Sequence, residues 1–146
     1  MADRRKVLVV DDEADVRLLC RVNLEFEGYE VLEARDGVEA MQVLEDEPPD
    51  VVLLDVMMPR MDGWQVLAAI KRDPATADIP VVMLTAKVQD HDQIHAWGGG
   101  VADYITKPFS PLAISHVLDQ VLHSDPDEEE RRRRSILEKL QILHNA

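Results

Sequence analysis

Three blocks of the chain, residues 7–10, 51–54 and 81–84, are apolar at every position instead of at every second one. A strand with one wet face alternates apolar and polar side chains. A run with no polar member belongs to a strand covered on both faces, as in a parallel sheet flanked by helices. Two weaker segments, 29–34 and 104–106, extend the series to five candidate strands. Between them apolar residues recur at helical spacing: Val16, Leu19, Cys20 and Leu24; Ala40, Met41 and Leu44; Val66, Leu67 and Ile70; Ile114, Val117, Leu118 and Val121. A further helix over 90–97 has only Ile94 and Trp97 as anchors. Gly28, Gly37, Pro48-Pro49, Pro59, Gly63, Pro74, Pro80, Gly98 to Gly100 and Pro108 punctuate the alternation. The pattern predicts an α/β fold, a doubly wound parallel sheet sandwiched between helices. Such sheets bind ligands beyond the carboxyl ends of their strands, where strand order reverses.

Charge narrows the ligand. The 146 residues hold 29 acids and 16 bases, a net charge of -13. Up to His123 there are 23 acids against 11 bases, and beyond it 6 against 5, so the acidity belongs to residues 1–123 and not to the tail, 124–146. A surface this acidic repels phosphate backbones and anionic membranes, which disfavours direct nucleic-acid or membrane binding and favours a cation or a basic partner. With 46% hydrophobic residues there is material for a packed core. Cys20 is alone and cannot form an internal disulfide. On an apolar stripe it reads as a small core residue, with a reactive thiol as the alternative. The first apolar run is shorter than the ~7 to 15 residues of a signal-peptide core. No run reaches the ~20 needed to span a bilayer, so a soluble, cytoplasmic protein is expected.

The expected strand ends carry the chemistry. The first ends in Asp11-Asp12-Glu13, the third in Asp55 and the fourth in Thr85, and the fifth runs into Thr106-Lys107-Pro108. Brought together, Asp11, Asp12 and Asp55 repel one another by ~3 to 4 kcal/mol per pair at an effective dielectric near 20. One lysine leaves two excess negative charges, which a divalent cation would neutralise. Few, hard oxygen ligands with room for water suit Mg²⁺, or Mn²⁺, better than an enclosed Ca²⁺ or Zn²⁺ site. A dinucleotide or flavin phosphate would meet an acidic triplet where it needs a Gly-rich or hydroxyl-rich loop, and no G-x-x-x-x-G-K-[ST] occurs. A carboxylate beside a metal, a hydroxyl and a lysine can act as a nucleophile toward a phosphoryl group, and Asp55 is the candidate. In that scheme Asp11, Asp12 and the Met57 backbone carbonyl ligate the metal, Lys107 pairs with phosphoryl oxygens, and the Thr85 hydroxyl bonds to one of them.

Four segments carry a resemblance: Val7-Leu-Val-Val-Asp-Asp-Glu, Val52-Leu-Leu-Asp-Val-Met-Met-Pro-Arg-Met-Asp-Gly, Val82-Met-Leu-Thr-Ala and Gly100-Val-Ala-Asp-Tyr-Ile-Thr-Lys-Pro-Phe. In order and spacing they resemble the receiver domain of two-component response regulators, in its chemotaxis-regulator-like form, from about residue 6 to 123. The resemblance implies a flavodoxin-like (βα)5 fold with strand order 2-1-3-4-5. It also implies a phosphoryl group taken from a sensor histidine kinase or a histidine phosphotransfer protein. By it Asp55 is the phospho-acceptor, Asp11, Asp12, Asp55 and the Met57 carbonyl form the Mg²⁺ site, Thr85, Tyr104 and Lys107 are the switch residues, and Lys107-Pro108 is a cis peptide. Phosphorylation would change the surface of the fourth helix, fifth strand and fifth helix, where a downstream protein or a second copy docks.

The chain departs from the family in having three glycines, Gly98 to Gly100, where one is usual, so a mobile fourth helix is expected, with an ordinary longer loop as the alternative. Two residues after the acceptor and after the threonine stand Met57 and Lys87. A thioether cannot orient water, which points to slow loss of the phosphoryl group. His91, Asp92 and His95 could share a helical face, a pattern that suits solvated polarity better than a metal pair. His116 reads as helix surface and Trp64 as packing. In the tail, Asp125-Pro126-Asp127-Glu128 resembles a helix start, and the four arginines 131–134 each follow an acid by four residues. Ile136, Leu137, Leu140 and Leu143 would make it a dimer helix, a docking helix or the beginning of an output domain; as given, the chain has no room for a whole one. Two other functions fit the residues less well. A phosphatase of the haloacid dehalogenase type needs an acid two residues after the nucleophile, where Met57 stands. A pseudo-receiver that never takes phosphate would not need the full residue set. The expectation is a signalling module, not an enzyme.

Overall fold

The structure, a computed structural model, describes residues 4–85 and 100–123, with Asp127, Glu130, Arg131, Arg134 and Glu138 of the tail. The chain order is β1 (Lys6–Val10), α1 (Ala14–Phe26), β2 (Glu30–Ala34), α2 (Gly37–Asp46), β3 (Val51–Asp55), α3 (Gly63–Arg72), β4 (Val81–Thr85), β5 (Asp103–Thr106) and α4 (Pro111–His123). The last of these is the helix expected as the fifth. The expected fourth helix, with His91, Asp92, His95, Gly98 and Gly99, lies outside the described residues, as do Lys87 and most of the tail. The five tail residues described are helical, and Arg134 lies 3.7 Å from Glu130, one of the expected pairs four apart.

All strand pairings are parallel, in the order β2-β1-β3-β4-β5, as the resemblance implied. Alternation along β1, β3 and β4 divides their apolar residues between two cores. Leu8, Val10, Val52, Leu54, Val81 and Met83 pack with Ala40 and Leu44 of α2 and with Val66, Leu67 and Ile70 of α3. Val7, Val9, Val51, Leu53, Val82 and Leu84 pack with Cys20 and Leu24 of α1 and with Ile114, Leu118 and Val121 of α4. Every residue of β3 and β4 is buried, which is why those runs show no period of two. Each fully buried leucine among them contributes about 2 kcal/mol relative to an exposed one.

Because β1 lies between β2 and β3, the chain leaves β1 to one side and later returns to the other. The helices following those strands diverge to opposite faces, and a crevice opens at the carboxyl ends of β1 and β3. Local devices aim the chain into and out of it. Asp62 and Gln65 form a capping box at the start of α3, and Asp36 caps α2 through the Glu39 N–H. Gly63 lies so close to β3 that an added Cβ would stand 2.3 Å from the Asp55 carbonyl oxygen, so only glycine lets α3 begin directly behind the end of that strand.

Candidate functional site

Asp55 and Thr85 are the last residues of β3 and β4, and Asp11 directly follows β1. Each is buried, Asp11 completely. The strands thus deliver polar side chains to their own ends, still within the folded interior. Asp12, by contrast, is exposed. One carboxylate oxygen from each of Asp11, Asp12 and Asp55 lies within 4.8 Å of the others, a separation one small cation can bridge.

Lys107 enters from beyond β5, whose ladder with β4 is prolonged by the Lys107 N–H donating to the Thr85 carbonyl at 2.7 Å. The Lys107–Pro108 peptide is cis. The Lys107 ammonium donates to Asp11 Oδ2 at 2.7 Å and stands 3.5 Å from Asp55 Oδ1, with Glu13 farther off at 3.9 Å. Burial works against its charge, but the hydrogen bond to Asp11 and the surrounding carboxylates outweigh burial and raise its pKa.

Asp55 is pushed up to about 7, first by burial, then by the neighbouring negative charge of Asp11 with a smaller part from Asp12. Lys107 and the Met57 N–H, 3.3 Å from Asp55 Oδ1, oppose the rise without cancelling it. One ammonium does not neutralise three carboxylates. This imbalance fits a divalent metal, as does a donor set made only of hard oxygens. Met57 sits beside Asp55 through that N–H contact, with its side chain 72% exposed.

Thr85 and Tyr104, the residues expected to act as a switch, are arranged on the other side of the sheet. By alternation Thr85 shares a face with Val81 and Met83, and Tyr104 is half-buried against the same core. In register, Thr85 pairs with Thr106 and Met83 with Tyr104, so the hydroxyl and the ring belong to adjacent strands two residues apart. Burial raises the Tyr104 pKa, with a smaller push from Asp103. Trp64 packs at the start of α3 against this core, and His116 is exposed. Cys20 is buried and pushed up to about 12, chiefly by desolvation, as suits a core residue and not a reactive thiol.

Sequence reasoning missed Arg17. From α1 its guanidinium reaches back six residues to donate to the main-chain carbonyl of Asp11 at 2.7 Å, while its Nε lies 3.3 Å from Glu33 of β2. The signal was a single cation one turn into the helix that follows the acidic triplet, but nothing local told whether it faced inward.

Residues 7–119 match the family model described as the response regulator receiver domain. Among curated proteins, the chain is 45% identical over 118 residues to the phosphate regulon transcriptional regulatory protein PhoB of Pseudomonas aeruginosa, covering 81% of this chain and 52% of that protein. It is 42% identical over 104 residues to RpaA of Synechocystis, named a DNA-binding dual master transcriptional regulator, covering 71% of this chain and 43% of that one. The chain therefore spans about half the length of these relatives. Among solved structures, the chemotaxis protein CheY4 of Vibrio cholerae superposes with a TM-score of 0.79 at 32% identity, covering 82% of this chain and all of that one. Among the described residues no helix is long and apolar enough to cross a membrane.

Proposed function

The chain belongs to the response regulator receiver family, and from that premise we propose that Asp55 accepts a phosphoryl group from a histidine kinase or histidine phosphotransfer protein, with Mg²⁺ bound beside it. The observation that carries this reading is the buried Asp55 carboxylate, set 3.5 Å from the Lys107 ammonium and sharing a 4.8 Å cluster with Asp11 and Asp12. Asp11, Asp12, Asp55 and the Met57 carbonyl would hold the ion, with Mn²⁺ as a substitute. Bound there, the ion supplies charge that lets an anionic phosphoryl group approach three carboxylates.

In the transfer, a carboxylate oxygen of Asp55 attacks phosphorus in line with the donor nitrogen. The new P–O bond forms as the P–N bond breaks and its electron pair returns to the ring nitrogen; with the proton on the other ring nitrogen of the phosphohistidine retained, the donor leaves as a neutral imidazole. Lys107, now held by Asp11 and near Asp55, exchanges part of that pairing for the incoming phosphoryl oxygens. The Thr85 hydroxyl, one strand away, turns to donate to another. Tyr104 then moves into the space on its face of the sheet, and the surface around β5 and α4 changes shape for a downstream protein or a second copy. The module is switched, not a turnover enzyme. The position two after Asp55 is Met57, whose thioether serves neither as general acid nor as a water-orienting group, so the aspartyl phosphate persists. A lifetime of only seconds contradicts that last point. The acidity of residues 1–123 keeps the receiver itself off nucleic acid, so any output on DNA passes through a partner or an attached domain.

Acetyl phosphate with Mg²⁺ tests the reading. Intact mass rises by one phosphoryl group in the wild type and not in D55N, and beryllofluoride changes Trp fluorescence in the wild type alone. A wild type that gains no mass and gives no fluorescence change overturns the proposal.

A further inference from the structure

Asp11 is held at four points. Its N–H donates to the Ala34 carbonyl at 3.1 Å, continuing the β1–β2 ladder past the end of the strand. Its Oδ1 accepts from the Glu13 N–H at 2.9 Å, and its Oδ2 accepts from Lys107 at 2.7 Å. The fourth point is the carbonyl oxygen, which accepts from Nη1 of Arg17 at 2.7 Å. That oxygen belongs to the peptide group joining Asp11 to Asp12, so the plane it defines sets the direction in which the chain presents both side chains.

Arg17 is itself held. Its Nε lies 3.3 Å from Glu33 Oε1, and the other oxygen of Glu33 is 2.9 Å from Nη1 of Arg21, which also pairs with Glu25 at 2.9 Å. The Arg17 side chain is 18% exposed against 51% for Arg21. A rigid fork with separate nitrogens can bond the Asp11 carbonyl and Glu33 at once; a single ammonium on a flexible stem does so less well.

We infer that Arg17 is a positioning residue for the metal site: its guanidinium, braced by Glu33, fixes the Asp11–Asp12 peptide so that both carboxylates face Asp55 in one geometry. The inference rests on the proposed metal-binding reading of Asp11, Asp12 and Asp55. Without Arg17 the carbonyl of a fully buried residue loses its donor, and the turn into α1 relaxes. Glu13, the residue before α1, makes no side-chain cap to secure that turn. Groups that orient metal ligands without touching the ion commonly change affinity by about 10- to 100-fold.

The test uses Mg²⁺ alone, titrated by calorimetry into the full chain, together with amide exchange at Glu13, whose N–H reports the turn directly. R17A is expected to weaken Mg²⁺ binding by about 10-fold and to speed exchange at Glu13. R17K is expected to recover part of both, and R21A, which removes a neighbour on Glu33 but nothing from Asp11, leaves both within about 2-fold of wild type. The inference is overturned if R17A binds Mg²⁺ as wild type does, or if R21A loses as much as R17A, which would assign the effect to the surface ion-pair network. Should R17A unfold, R17K and R21A decide by the same comparison. A wild type that binds no Mg²⁺ defeats the metal reading instead, and unchanged Glu13 exchange in R17K and R17A then defeats this one separately.

Discussion

At the amino ends of the strands, Lys6 pairs with Glu47 at 3.1 Å, its N–H donates to Asp50 at 2.7 Å, and Lys71 donates to the carbonyls of Ala77 and Ile79 at 3.0 and 2.9 Å. At the carboxyl ends of the same strands, Asp11 and Asp55 are buried and share one ammonium, with Asp12 beside them. Both ends carry charge, but the first matches it with partners and water while the second concentrates like charge out of water. Charge matched in this way serves stability, and charge crowded in this way costs stability unless something binds there. The difference separates a scaffold end from a working end without reference to any relative.

Breaking the working end should have the largest effect. K107M leaves buried Asp11 without its ammonium and is expected to destabilise the metal-free protein by about 3 kcal/mol, with added Mg²⁺ restoring part of the loss. Denaturant unfolding with and without Mg²⁺ measures both; a loss that Mg²⁺ does not touch would place Lys107 with the scaffold.

D55N is expected to act in the opposite direction, stabilising the metal-free protein by about 2 kcal/mol at pH 8. The sign follows from Asp55 lying at about 7 instead of 3.8. Between those values the folded state keeps a proton that the unfolded chain has released, so stability is lost as pH rises through that window. Asparagine does not titrate, so the advantage of D55N should shrink toward pH 4 in melts recorded across pH. An advantage independent of pH would remove the charge-crowding argument.

At the scaffold end the effects should be smaller and indifferent to Mg²⁺. K71M withdraws the donor from two main-chain carbonyls and is expected to cost about 1 to 2 kcal/mol, equally with and without the ion. K6Q breaks an ion pair whose partners are both well exposed, and its melting midpoint should match wild type within error. If K6Q proved as costly as K107M, the contrast between the two ends would collapse.

Much of this was legible because the signals are local. The runs at 7–10, 51–54 and 81–84 contain no polar residue because their strands are covered on both faces, and burial of that kind is written at every position. Asp11, Asp55 and Thr85 stood out as the first polar residues after such runs. The contacts of Lys71, the approach of Gly63 to the Asp55 carbonyl and the reach of Arg17 to Asp11 were not legible, because each depends on how a helix is rotated against the sheet. The capping box of α3 is a middle case: Asp62 and Gln65 are three apart and could have been read as a helix start, since capping is a short-range interaction.

By itself, then, the sequence determined the alternation of strand and helix, the depth of β1, β3 and β4, and the identities of the polar groups at their ends, all consequences of side-chain polarity and spacing along a few residues. Only the tertiary structure decided that Lys107 meets Asp11 across 96 residues of chain, that Asp55 is buried enough to hold its proton to about 7, and that Arg17 pins the peptide between two carboxylates. Those outcomes depend on distance and desolvation, and both arise only when the parallel sheet brings separate strand ends to one place.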